Sequence, residues 1–208
     1  MASRNSTIIP PFPDHIDRNY FGAWLSGFTD GEGCFQAALR EYKNKKRKGK
    51  WYTSCVFTIS LRSDDETIVR NIHSYLGVGT VAYRPPAKNQ EIRKGKSQYR
   101  YEVCNVSDIV NYIIHQFEKY PLMSKKRRDY EIWKQACILA HSVGKQKRRY
   151  IGGKRGILPI WSKGNIEIFK SLCDDLVNIR KFTDKQIESV EPRQYTIVEN
   201  QTGFMFSD

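Results

Sequence analysis

The sequence predicts an α+β domain built on one antiparallel four-stranded sheet, and three observations support this. Four short stretches alternate apolar and polar side chains with the period of two that marks a half-buried strand. The stretches between them carry apolar stripes at helical spacing. The order is helix, two strands, helix, two strands, helix, which is the α+β pattern αββαββα with a helical extension behind it.

The elements follow in order. Residues 1–18 form an extended arm, because Pro10, Pro11 and Pro13 forbid a helix there. Residues 20–30 read as a helix with Phe21, Leu25 and Phe28 on one stripe, and Gly31 and Gly33 read as its stop signal. Residues 34–42 form the first strand, the basic run "KNKKRKGK" follows, and residues 51–62 form the second. In "SDDETIVRNIHSYLG" Ser63 is placed as N-cap with Glu66 as its N3 partner, and Ile68, Ile72, Tyr75 and Leu76 make the apolar stripe. Gly77 and Gly79 lead into a strand at 81–84, and residues 98–103 make the fourth. "SDIVNYIIHQFEKY" is a helix capped by Ser107 and ended by Pro121, and Ser124 caps the next one, which runs to about residue 141. "GKQKRRYIGGKRG" is a basic loop before a helix at 165–180. The expected organisation is an arm (1–18), a core (19–142), a basic loop with the C-terminal helix (143–181) and a loosely structured tail (182–208), with no internal repeat.

The 208 residues hold 35 Lys and Arg against 22 Asp and Glu, a net charge of +13. This excess suggests a polyanionic partner, nucleic acid being the commonest. The five cysteines are scattered, with no CxxC pair, which argues against a zinc site. Their odd number and the absence of a signal peptide point to a reducing compartment rather than secretion, and no apolar run approaches the ~20 residues of a membrane helix.

Each strand has one apolar face and one face of hydrogen-bonding side chains. Gln36, Arg40 and Tyr42 share a face in the first strand, Thr58, Ser60 and Arg62 in the second, and Gln98 and Arg100 in the fourth, with Arg84 at the end of the third. Gln and Arg can make paired hydrogen bonds to base edges in the major groove. Lys43 and Lys45 on one side, and Lys147 and Arg148 on the other, suit the backbone of a duplex.

The stretch "WLSGFTDGEGCF" poses a problem of charge. Asp30 and Glu32 stand at a helix C-terminus, which already carries about −0.5 of an elementary charge. A divalent cation beside them would reverse the penalty, and hard oxygen ligands suit Mg²⁺. On the same helix Ala23, Ser26 and Gly27 form a small stripe through which a second copy of the chain could approach.

"LSGFTDGEG" (25–33) resembles the motif that names the LAGLIDADG endonucleases, with Glu in place of the second Asp, and "YLGVGTV" and "FEKYPLMSKKRRDYEIWK" resemble that family's later segments in order and spacing. The resemblance covers about residues 20–140. It implies a saddle-shaped sheet lying in the DNA major groove, motif helices at the interface of two units, and a homodimer for a chain with one motif. It also implies metal-dependent hydrolysis of one phosphodiester per strand of a long pseudo-palindromic site, leaving 3′ overhangs. By position Glu32 matches the metal-binding catalytic acid and the Gly31 carbonyl a backbone metal ligand, with Mg²⁺ as the ion and Mn²⁺ as its substitute. Lys125 matches the basic residue near the scissile phosphate, with Lys126 as the alternative. Where the family can carry a water-organising Gln and a nearby Arg, this chain has Leu61 and Asp65, which leaves Ser60 or Arg62 to share that role. The resemblance further implies an intron-encoded protein of an organelle or a bacterial cytoplasm. Two other readings of the scaffold are an RNA-binding maturase and a DNA-binding regulator that does not cleave.

Overall fold

The structure is a computed structural model and describes residues 9–41, 51–86, 96–145 and 161–181. Its elements are α1 (Arg18–Glu32), β1 (Gly33–Glu41), β2 (Trp51–Arg62), a 3₁₀ turn (Ser63–Asp65), α2 (Glu66–Leu76), β3 (Thr80–Arg84) and β4 (Gln98–Val103). Then come α3 (Val106–Asp108), a π-helical stretch (Ile109–Ile114), α4 (His115–Lys119), α5 (Lys126–Lys145) and α6 (Lys163–Asn178). The four strands form one sheet in the order β1-β2-β4-β3, each pair antiparallel. The predicted α+β class and strand count therefore hold. No described helix is long and apolar enough to cross a membrane.

The helices cover one face of the sheet. Phe35, Phe57, Ile59, Tyr101 and Val103 point into that layer and meet Leu25 of α1, Ile72 of α2, Phe117 of α4 and Trp133 of α5, all buried. Each such side chain contributes roughly 1.5–3 kcal/mol by leaving water. Trp133 also donates its indole N–H to the Gln36 carbonyl (3.0 Å), which ties α5 to edge strand β1. From α6, Phe169, Leu172 and Leu176 are buried in the same core, so the C-terminal helix is packed into the body of the domain. Part of the N-terminal arm is pinned as well: Phe12 stacks edge-on to Phe21 at 5.1 Å, and Arg18 lies over the Phe12 ring at 4.9 Å.

Several local expectations are corrected. α1 runs through Gly31 to Glu32, and its C-cap Gly33 has extended backbone (φ −73°, ψ 150°) rather than the left-handed conformation of a glycine stop. Gly33 is needed for space, since a Cβ there would crowd the Thr29 side chain and stand 2.8 Å from the Thr29 carbonyl. Ser63 does not cap α2, because its hydroxyl pairs with Ser97 Oγ at 2.7 Å. The cap of α3 is Asn105, whose side chain accepts from the amides of Ser107 and Asp108, rather than Ser107. By contrast Ser124 does stand at the entry to α5, accepting the Lys126 amide at 3.1 Å. A left-handed Gly77 (φ 69°) ends α2. The candidate contacts Tyr42, Lys43, Lys45, Lys147 and Arg148, and the tail at 182–208, lie outside the described residues.

Candidate active site and nucleic-acid interface

The acidic end of α1 is built from three segments. The Asp30 carboxylate accepts hydrogen bonds from the amides of Met123 (2.9 Å) and Ser124 (3.1 Å) and from the Ser124 hydroxyl (2.7 Å). It therefore faces the N-terminal entry of α5, where a negative charge is favourable. Lys126 reaches back from α5 and donates from Nζ to the carbonyls of Gly31 (3.1 Å) and Gly33 (2.6 Å). A lysine ammonium thus meets the carbonyls that α1 leaves without intrahelical partners. Burial lowers the Lys126 pKa, while Cys34, Asp129, Asp30 and Glu32 around it pull in the opposite direction.

The two carboxylates are consequently different in kind. Asp30 is consumed by the contact between helices. Glu32 is exposed and accepts no hydrogen bond from a described residue. It borders a cleft of about 420 Å³ whose polar lining comes from Ser60, Arg62, Asp65 and Gln98, with Leu61 among its apolar walls. The two family departures, Leu61 and Asp65, thus stand in the same cleft as Glu32. Arg62 there is ion-paired with Asp64.

Glu32 and the Gly31 carbonyl are hard oxygen donors of the kind that Mg²⁺ accepts. Among the described residues no cluster of three or more His, Cys, Asp or Glu could hold a metal ion by itself. One carboxylate per chain fits an ion that takes its remaining ligands from water and substrate phosphates, which is the usual habit of Mg²⁺. Lys125 is exposed and lies on a second cleft, of about 290 Å³, which it shares with Asp30, Ser124, Lys126, Asp129 and Arg180. The structure brings Lys126, rather than Lys125, to the helix end.

The open face of the sheet carries the polar residues expected there. Arg62, Gln98 and Arg84 are paired neighbours across β2, β4 and β3, so three long hydrogen-bonding side chains form one row. All three are exposed, as are Gln36 and Arg40 on β1. Arg100 is half-buried and held by Ser60, to whose hydroxyl it donates at 3.0 Å. Thr58 corrects the expectation of a contact. It is buried, because β2 is an interior strand and its cross-strand neighbours are Cys34 and Glu102.

Ser26 is the second correction. It is 3% exposed and donates to the Tyr120 carbonyl at 2.6 Å, so it faces its own chain instead of a partner. Ala23 and Gly27 remain exposed on α1, continued by Tyr20 and Gly31. Nothing lies within 4 Å of a Cβ built at Gly27 or Gly31. The inner side of α1 holds residues that sequence reasoning missed. The Gln116 amide donates to the Gly22 carbonyl (2.7 Å), and a side chain at Gly22 would collide with Tyr75 and Tyr120. No local pattern marks these residues, whose partners are up to 94 positions away.

Comparison with known proteins agrees with this geometry. The family model described as LAGLIDADG endonuclease matches residues 25–137. An uncharacterized 50.9 kDa protein in ND4 intron 1 of Podospora anserina is 33% identical over 118 residues, covering 56% of this chain and 23% of that protein. Probable intron-encoded endonuclease 2 of Neurospora crassa is 26% identical over 194 residues, covering 91% of this chain and 40% of its own. Among solved structures, the LAGLIDADG meganuclease I-AabMI bound to uncleaved DNA superposes with a TM-score of 0.51 at 26% identity, over 73% of this chain and 42% of that one. The I-SmaMI LAGLIDADG homing endonuclease bound to cleaved DNA gives a TM-score of 0.57 at 22% identity, over 82% and 48%. The chain spans less than half the length of each of these proteins. With the family model covering more than half of its residues, the motif at the end of α1 and the strand order of the sheet, the chain belongs to the LAGLIDADG endonuclease family.

Proposed function

We propose that this chain is a site-specific DNA endonuclease of the homing type, one unit of an assembly that cuts both strands of a duplex. The observation that carries the reading is Glu32. It is an exposed carboxylate that accepts no hydrogen bond from a described residue, it stands at the C-terminal end of α1, where the helix dipole disfavours a negative charge, and it lies near the Lys126 ammonium that binds the Gly31 carbonyl. A carboxylate left open to a cleft at a helix end, balanced by a nearby ammonium rather than held by a hydrogen bond, is a sign of function. Relatives named as intron-encoded endonucleases support a gene carried in an intron of an organelle.

In this reading the duplex lies along the open face of the sheet. Gln36, Arg40, Arg84 and Gln98 reach base edges, and Lys125 and Arg128 meet the phosphate backbone beside the cut. Glu32 and the Gly31 carbonyl would hold Mg²⁺, or Mn²⁺ in its place, and the ion would supply Lewis-acid polarisation of the phosphodiester and of the attacking water. Lys126 places a positive charge where negative charge develops on the phosphate. Ser60 and the ion-paired Arg62 orient water in the cleft beside Glu32. One such site per unit gives one hydrolysis per strand. Two units related by a two-fold axis read a pseudo-palindromic target and leave 3′ overhangs.

The test is Glu32→Gln, which keeps the shape and removes the charge. Metal-dependent nicking of a target duplex is expected to be lost while duplex affinity stays within a few-fold of the native chain. Undiminished cleavage by the variant in Mg²⁺ would overturn the assignment. A native chain that binds its duplex without ever nicking it would return the protein to a non-cleaving role.

A further inference from the structure

Lys126 occupies the place that a divalent cation needs. Its Nζ stands 3.1 Å from the Gly31 carbonyl oxygen and 2.6 Å from that of Gly33, on either side of Glu32 in the chain. The backbone that carries it cannot retreat, because Asp30 holds the Met123 and Ser124 amides and so locks the entry of α5 to the end of α1. Only the four-carbon stem can move, and lysine is a flexible point charge with three donors, two of them used here. We propose that Lys126 is the resident cation of this site: in the DNA-free chain its ammonium occupies the Gly31 carbonyl and opposes divalent metal, and a substrate phosphate draws it away so that metal enters after DNA. The inference rests on Glu32 and Gly31 being the metal ligands. An ammonium and a divalent ion that share one carbonyl oxygen stand within a few ångströms, and repulsion at that range weakens metal binding by roughly tenfold or more even at the dielectric constant of water. An ammonium held on two carbonyls until a phosphate draws it away would also keep the nuclease idle away from its target, since no metal is loaded before the substrate arrives.

The experiment is a titration of the full chain with Mn²⁺ alone, without DNA, followed by the electron paramagnetic resonance of the free ion. Four variants are compared with the native chain: Lys126→Met, Lys126→Gln, Lys163→Met on the exposed start of α6, and Glu32→Gln combined with Lys126→Met. The Gln variant keeps a hydrogen-bond donor near the carbonyls, so that loss of charge is separated from loss of fold. Both Lys126 variants are expected to bind Mn²⁺ roughly tenfold more tightly than the native chain. Lys163→Met is expected to stay within about twofold, because that exposed ammonium stands at the far end of α6 and is screened. The gain is expected to vanish when Glu32→Gln is added. Equal affinity of the native chain and both Lys126 variants at a Glu32-dependent site would overturn the inference and leave the metal assignment standing. An equal gain in Lys163→Met would also overturn it, by tracing the effect to net charge. Mn²⁺ binding indifferent to Glu32 throughout would remove the metal assignment and the inference with it.

Discussion

The motif helix ends in two carboxylates that have opposite fates, and one residue separates them. Asp30 is satisfied by three donors at the head of α5, whereas Glu32 is left for the cleft. The glycines around them divide in the same manner. At Gly33 a methyl group would press on Thr29, whose side chain is fully buried, so the neighbour has nowhere to go. At Gly27 a methyl group meets nothing. Gly33→Ala is therefore expected to destabilise the chain by about 1–3 kcal/mol. Gly27→Ala is expected to stabilise the unassociated chain by about 0.5–1 kcal/mol through helix propensity. Urea denaturation of both variants, at concentrations too low for association, checks the opposite signs.

Among the elements, the junction of α1 and α5 organises the site. The negative end of one helix meets the positive end of the other, with Asp30 and Lys126 exchanged across the junction. Each carries the charge that the other helix end favours. Elsewhere the caps that the chain uses are not the ones that spacing suggests. Asn105 accepts two amide hydrogens, from Ser107 (2.9 Å) and Asp108 (3.4 Å), and opens the helical run that continues through the π-helical stretch into α4. Asn105→Ala is expected to cost about 1 kcal/mol, and Ser107→Ala only a few tenths. Thermal unfolding of the two variants side by side decides which residue is the cap, and equal losses would reject the assignment.

For the whole molecule, the face of α1 formed by Tyr20, Ala23, Gly27 and Gly31 is exposed, and in the proposed function two such helix ends serve the two strands of a duplex. In the proposed homodimer this face meets its own copy, and the small residues let two helix backbones approach closely. Gly27→Leu is expected to weaken association and to abolish double-strand cleavage together, because a packed interface tolerates added volume poorly. Sedimentation of the native chain and the variant, with and without duplex, measures the first effect, and a cleavage assay measures the second. A native monomer that cuts both strands of a target lacking two-fold symmetry would rule out the two-chain arrangement.

Period, spacing and residue type in the sequence alone determined the α+β class, the four strands and their polar and apolar faces. These features were legible because alternation and helical stripes are local, and a strand's two faces are set by the backbone whatever surrounds it. Only the tertiary structure decided which of Asp30 and Glu32 stays free, which of Lys125 and Lys126 reaches the helix end, and that Ser26 and Thr58 are hidden. Each of these depends on a partner far along the chain: Lys126 on Gly31, Ser26 on Tyr120, Thr58 on Glu102. Lys125 and Lys126 share the cleft beside Asp30, and only the docking of α5 against α1 brings the Lys126 ammonium onto the carbonyls at the helix end.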